Sequence, residues 1–222
     1  RLALGDLRQL DQFEGVIHCV RMRDGRQAYQ LARLADMGSV IRDRVRKSLS
    51  EQARRHELEA DWRKELDRYL ERNGTAQPED EQEERARTEK AAALQELAAS
   101  RFSVLIGPAG TGKTTLLSVL CQQPQVSQGS ILLLAPTGKA RVRMEDVARR
   151  AGTGNFEART LAQHLSRSGR YDGELQRYQL NDEPPEQSAH TVIVDECSML
   201  TEDMLAALLQ SLAGVQRLIL VG

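Results

Sequence analysis

The sequence predicts an α/β fold in which a parallel sheet carries helices on both faces, preceded by a β-hairpin and a charged helical region. Three observations predict it. From Phe102 onward, short and nearly continuous apolar runs alternate with segments of helical periodicity, the pattern of strands buried on both faces. A glycine-rich loop, Gly107-Pro108-Ala109-Gly110-Thr111-Gly112-Lys113-Thr114, joins the first of those runs to the first of those helices. Before Phe102 the composition changes to charged residues with sparse apolar spacing.

The elements follow in order. Val16, His18, Val20 and Met22 alternate toward the turn signal Asp24-Gly25, and Tyr29 and Leu31 return, which reads as a hairpin over Val16 to Leu34. From Ser39 to Arg72, the residues Val45, Leu49, Leu58, Trp62, Leu66 and Leu70 recur at helical spacing, ended by Asn73-Gly74. This predicts a long helix with one slip in spacing near Arg54. Its charges read as a solvated face and Trp62 as a packing anchor. The acidic run Glu79-Asp80-Glu81-Gln82-Glu83-Glu84 suits a first helical turn, and the helix continues through Ala91 to Ala99.

Strands are expected at 102–106, 130–135, 191–195 and 216–221. Helices are expected at 113–121, 139–150, 160–166 and 202–212, the last with Thr201 as N-cap. The polar stretch from Arg167 to Ala189, with Gly169, Gly173 and Pro184-Pro185, reads as a mobile surface excursion. This organisation divides the chain into an N-terminal hairpin and helical region, residues 1–75, and an α/β domain, residues 76–222.

The glycine-rich loop matches G-x-x-x-x-G-K-[ST] at every fixed position, between a predicted strand and a predicted helix. In that frame backbone N–H groups close on a phosphate chain, and the helix N-terminus adds roughly half a positive charge. Gly107, Pro108, Ala109, Gly110, Thr111, Gly112, Lys113, Thr114 and Thr115 are therefore the candidate nucleotide-binding residues. Lys113 would reach the outer phosphates, and the Thr114 hydroxyl would ligate Mg²⁺. The run Thr191-Val192-Ile193-Val194-Asp195-Glu196 ends an apolar strand in two carboxylates. Asp195 would hold the metal, and Glu196 would polarise an attacking water. Lys113 and Glu196 are the candidate catalytic residues, with ATP and Mg²⁺ as cofactors. A Glu at that position favours hydrolysis over binding alone.

Composition limits the alternatives. The 222 residues have a net charge of −1, so any nucleic-acid contact must come from local basic patches. Cys19, Cys121 and Cys197 fit no metal or redox spacing and read as reduced thiols of the cytoplasm. No apolar run approaches membrane-spanning length, and no signal peptide is visible. With no initiator Met and an end on Val221-Gly222, the chain reads as a piece of a longer protein. After the second core strand, Ala135-Pro136-Thr137-Gly138-Lys139-Ala140 places a hydroxyl, a turn and a lysine at a helix start. That set can cradle one phosphate of a nucleic-acid backbone or simply cap a helix. Arg141, Arg143, Arg149 and Arg150 add charge downstream.

Together, GPAGTGKTT (Gly107–Thr115), LLLAPTGKAR (Leu132–Arg141), ARTLAQHL (Ala158–Leu165) and VIVDECSML (Val192–Leu200) resemble motifs I, Ia, Ib and II of superfamily 1 DNA helicases of the RecD-like branch. The resemblance is strong from Phe102 onward and weak before it. It implies the first RecA-like domain of a P-loop NTPase, part of a 5′-to-3′ motor on single-stranded DNA that closes on a second RecA-like domain. It also implies DNA-processing protein partners.

By that resemblance Pro136, Thr137, Lys139, Thr160 and His164 lie along the DNA strand, and Ser198 and Met199 couple nucleotide to DNA. Glu89-Lys90 stands where the family shows Glu-Gln, so the adenine-reading glutamine is missing and looser base selectivity is expected. Cys197 replaces a small residue, and Gly222 falls where motif III would begin. The competing reading is a nucleotide switch of the AAA type that drives protein assembly without DNA.

Overall fold

The computed structural model describes residues 15–50, 56, 58–74, 78, 80–150, 152 and 155–222. Strands β1 (Ile17–Arg21) and β2 (Gln27–Leu31) form an antiparallel hairpin, in register from Ile17 opposite Leu31 to Arg21 opposite Gln27. Asp24 closes the turn by accepting hydrogen bonds from the Arg26 backbone and guanidinium. The alternation that predicts the hairpin does not bury it: Val16, Val20, Met22 and Leu31 are all exposed.

The expected long helix is two helices, α1 (Ala32–Leu49) and α2 (Trp62–Arg72). The expected slip at Arg54 lies outside the described residues. Asp61 starts α2 afresh, its carboxylate accepting from the Lys64 N–H as an N-cap. Helix α3 (Glu81–Ala99) is capped in the same way by Asp80, which accepts from the Glu83 N–H. Glu79 of the expected acidic start lies outside the described residues.

The core sheet has five parallel strands: β3 (Phe102–Leu105), β4 (Ile131–Ala135), β5 (Phe156–Thr160), β9 (Thr191–Val194) and β11 (Arg217–Val221). Their spatial order is β3-β11-β9-β4-β5. The run expected to be a buried strand, β3, is the edge strand instead, with Val104 and Ile106 exposed. Strand β5, absent from the sequence reading, is the other edge. Its Glu157 and Arg159 interrupt the apolar run that marks the central strands.

Helices α4 (Lys113–Cys121), α5 (Pro124–Ser127), α6 (Gly138–Arg150), α7 (Leu161–Ser166) and α8 (Glu202–Ser211) complete the layers. Two cores result, one on each face of the sheet. The first joins Leu94 of α3 and Leu120 of α4 to Ile131, Leu133, Ile193 and Ile219 of the sheet. Trp62 and Leu66 of α2 are buried in that same cluster. The second joins Leu161, Leu165 and Leu208 to Leu132, Val192, Leu218 and Leu220, and Ile41 of α1 packs against it.

Thr201 does take the N-cap position of α8, but its hydroxyl donates to the Asp203 carboxylate and makes no cap bond. The stretch from Arg167 to Ala189 contains short paired strands and one buried anchor. Strands β6 (Tyr171–Asp172) and β7 (Arg177–Tyr178) pair within it, and β8 (Glu186–Gln187) runs parallel to β10 (Leu212–Ala213). The fully buried Arg170 guanidinium binds Gln210 of α8 at 2.8 Å and the Glu183 carbonyl at 2.5 Å, replacing the water it loses.

Candidate functional site

The glycine-rich loop leaves the C-terminal end of β3 and enters α4, at the edge of a parallel sheet where α/β folds place their ligands. Gly110 and Gly112 hold φ of 83° and 86°, a left-handed backbone in which a β-carbon is strained. The loop is tied to the neighbouring strand: the Gly107 N–H donates to the Gly222 carbonyl at 3.2 Å, and the Gly222 N–H to the Leu105 carbonyl at 3.0 Å. Lys113 Nζ donates to the carbonyl oxygens of Gly107 and Pro108, the latter at 3.0 Å. Thr111 Oγ1 donates to the Pro108 carbonyl at 2.9 Å and braces the turn.

Asp195 and Glu196 follow β9, two strands away across the sheet, and the Asp195 N–H extends the ladder to the Leu134 carbonyl at 2.9 Å. Glu196 has φ 52° and ψ 41°. A non-glycine residue in that region carries strain, and such residues cluster at functional sites. The 3-10 turn Cys197–Met199 follows immediately.

One cavity of about 330 Å³ is lined by Ala109, Gly110, Thr111, Gly112, Lys113, Thr114, Arg143, Asp195, Glu196, Ser198 and Gly222. The fold therefore brings the loop and the two carboxylates together around one space of small-ligand size. Its oxygen donors, the Thr114 hydroxyl and the Asp195 carboxylate, are hard ligands that suit Mg²⁺. Among the described residues no cluster of three or more His, Cys, Asp or Glu side chains forms a cage. Mg²⁺ is usually held by one or two protein oxygens together with substrate phosphates.

Burial, and then the Asp195 charge, hold the Cys197 thiol above its ordinary range, so it remains protonated beside the site. Arg143 is the residue sequence reasoning placed only within a basic run. The turn of α6 aims it into the cavity, and it has no ion-pair partner among the described residues. Its neighbours differ: Glu145 takes both Arg141, at 2.6 Å, and Arg149.

The expected DNA-contacting residues separate into two groups. Pro136 and Thr137 follow β4, Lys139 is exposed in the first turn of α6, and Thr160 ends β5, so these four share the C-terminal edge of the sheet with the loop. Thr137 Oγ1 accepts from the Ala140 N–H at 3.2 Å. Thr160 forms a capping box with Gln163, each side chain accepting from the other's backbone N–H. His164 is not brought to this group. It is half-buried, its Nε2 lies 3.4 Å from Ser211 Oγ of α8, and it lines a depression with Ser130 and Asn155 near the N-terminal ends of β4 and β5. Because α7 turns back along the sheet, a residue one turn into it faces its helix neighbour instead of the strand ends. Ser198 lines the nucleotide cavity, whereas the adjacent Met199 is exposed.

The AAA domain family matches residues 89–222. RecBCD enzyme subunit RecD of Mycolicibacterium smegmatis is 32% identical over 152 residues, covering 60% of this chain and 26% of that protein. RecBCD enzyme subunit RecD of Mycobacterium tuberculosis is 34% identical over 137 residues, covering 54% of this chain and 23% of that protein. The chain thus spans about a quarter of the length of the curated relatives it matches.

Proposed function

The chain belongs to the AAA domain family and is RecD-like in sequence, and on that premise we propose that it is the first motor domain of an ATP-driven, 5′-to-3′ DNA helicase. In this reading residues 76–222 form the motor and residues 1–75 an accessory region. The observation that carries it is the convergence of the glycine-rich loop, Asp195 and the strained Glu196 on one cavity, with Thr137, Lys139 and Thr160 along the same sheet edge.

Lys113 exchanges the carbonyl oxygens of Gly107 and Pro108 for the outer phosphate oxygens of ATP. The Thr114 hydroxyl and the Asp195 carboxylate would hold a magnesium ion. That ion would supply positive charge to offset the charge of the bound phosphates. Glu196 accepts a hydrogen bond from the attacking water and aligns it with the terminal phosphorus. Glu196 lines the same cavity as the loop. Arg143 adds a positive charge from within the same chain.

Turnover by this chain alone is expected to be slow, because a second RecA-like domain that closes on the nucleotide belongs to the reading. An arginine delivered in trans accelerates phosphoryl transfer by about a thousandfold or more. Single-stranded DNA lies across Pro136, Thr137, Lys139 and Thr160. His164 is left to packing between α7 and α8. No helix among the described residues is long and apolar enough to cross a membrane. The proposed setting of the motor is the cytoplasm.

The test is ATP hydrolysis by the intact protein, with and without single-stranded DNA. Glu196→Gln should bind ATP as the wild type does while hydrolysis falls by about two to three orders of magnitude. Unchanged turnover would remove Glu196 from the chemistry. Turnover indifferent to DNA would favour the assembly switch over the helicase.

A further inference from the structure

Lys90, on α3, reaches across to the start of α4. A β-carbon built on Gly112 would lie 3.3 Å from its Cε and 3.4 Å from its Nζ, so the ammonium rests against the last glycine of the loop. Thr115 borders the same point. This placement is electrostatically unfavourable for the protein by itself. The first turn of α4 is the positive end of a helix, and a cation there is repelled. The positions a lysine reaches along its own helix are Ala86, Arg87, Ala93 and Leu94, none of them acidic. Lys90 has no hydrogen-bond or ion-pair partner among the described residues.

An anion at the loop resolves all of this at once. It would take the ammonium, the loop N–H groups and the helix end as joint donors. Lys113 meets the loop elsewhere, at the carbonyls of Gly107 and Pro108, so the two ammonium groups address different parts of a phosphate chain. Among the described residues the cavity lining contains no aromatic side chain on which a base could stack.

We propose that Lys90 is a second phosphate-binding ammonium of this site, and that nucleoside triphosphates are held through their phosphate chain with little regard to the base. The inference rests on the reading of the loop as a nucleotide site.

The test is calorimetric titration of the chain with inorganic tripolyphosphate, ATP and GTP, each with Mg²⁺, for wild type, Lys90→Met, Lys90→Arg and Lys113→Ala. The wild type should bind all three within about threefold of one another. Lys90→Met should weaken all three alike, by roughly fivefold to tenfold, and Lys90→Arg should restore most of the loss. Without ligand, Lys90→Met should melt at or above the wild-type temperature, since it removes a repelled charge. Saturating tripolyphosphate should reverse that order.

Tripolyphosphate affinity unchanged in Lys90→Met, or a change confined to the ATP-to-GTP ratio, would overturn the inference alone, provided Lys113→Ala still abolishes binding. A wild type that binds none of the three would overturn the inference and the nucleotide-site reading together.

Discussion

Thr137 holds two positions at once, at the strand end proposed to meet DNA and at the cap of α6. Its hydroxyl accepts from the Ala140 N–H. Thr137→Ala should therefore lower stability by about 1 kcal/mol, whereas Thr137→Ser should keep the cap; thermal melts of the two variants check this. A loss of DNA affinity in the Ala variant that the Ser variant shares would separate the DNA contact from the cap. Lys139 gives a cleaner probe, because it is exposed and free of ion pairs among the described residues. Lys139→Ala should weaken single-strand binding alike across sequences and flatten the slope of log affinity against log salt by up to about one unit. An unchanged slope would take Lys139 off the phosphate track. The residues legible in the sequence are those fixed by a local frame: the loop from Gly107 to Thr115, and Asp195 and Glu196 at a strand end. The left-handed turn at Glu196, the aim of Arg143 into the cavity and the turning away of His164 depend on how helices lie on the sheet, and no local pattern encodes that.

Elements were legible where burial is continuous. Strands β4, β9 and β11 are buried along their whole length, and their apolar runs announce them. Strand β5, interrupted by Glu157 and Arg159, carries no such signal. The charged region misleads in the opposite sense, because its apolar spacing continues across the interval where α1 ends and α2 begins. Its charges are also more than a solvated face. Arg87, only 2% exposed, binds Asp67 at 3.0 Å and Glu83 at 2.6 Å, and Arg63 grips Glu84 with both terminal nitrogens, at 2.6 and 2.7 Å. These bonds clamp α2 to α3 and keep Trp62 and Leu66 against the core. Arg87→Ala should cost about 2 kcal/mol, since it leaves two partly exposed carboxylates without their shared donor. Arg68→Ala, which breaks an exposed pair with Glu65 on the same helix, should stay within about 0.5 kcal/mol. Chemical denaturation of both variants checks the contrast, and equal effects would refute the clamp.

At the scale of the whole molecule, the N-terminal region is distinct in proposed function but not in packing. Trp62 and Leu66 share a core with Leu120, Ile193 and Ile219, and Ile41 packs onto the opposite core. His56, in the interval between α1 and α2, ties that region to the sheet. Its N–H donates to the Ala99 carbonyl at 3.0 Å, where α3 ends, and its Nε2 lies 2.8 Å from the Gln216 carbonyl, just before β11. Burial pushes the imidazole below its ordinary value, and the charges of Arg217 and Arg101 add to the effect against the opposing pull of the Gln216 carbonyl. The folded protein thus binds the His56 proton less readily than the unfolded chain, and stability rises with pH through this group. The contribution is complete above the unfolded value of about 6.5 and is lost as pH falls through the lower folded value. Protonation would set a third cation beside Arg217, which is itself buried and donates to the Ala98 carbonyl at 2.9 Å. His56→Gln keeps an amide donor for Gln216 and has nothing to titrate in this range. Between pH 7.5 and 5 the wild type should therefore lose more of its melting temperature than His56→Gln, the other histidines and the carboxylates being common to both. Parallel losses would show that the imidazole joining the accessory region to the sheet does not set the acid sensitivity of the fold.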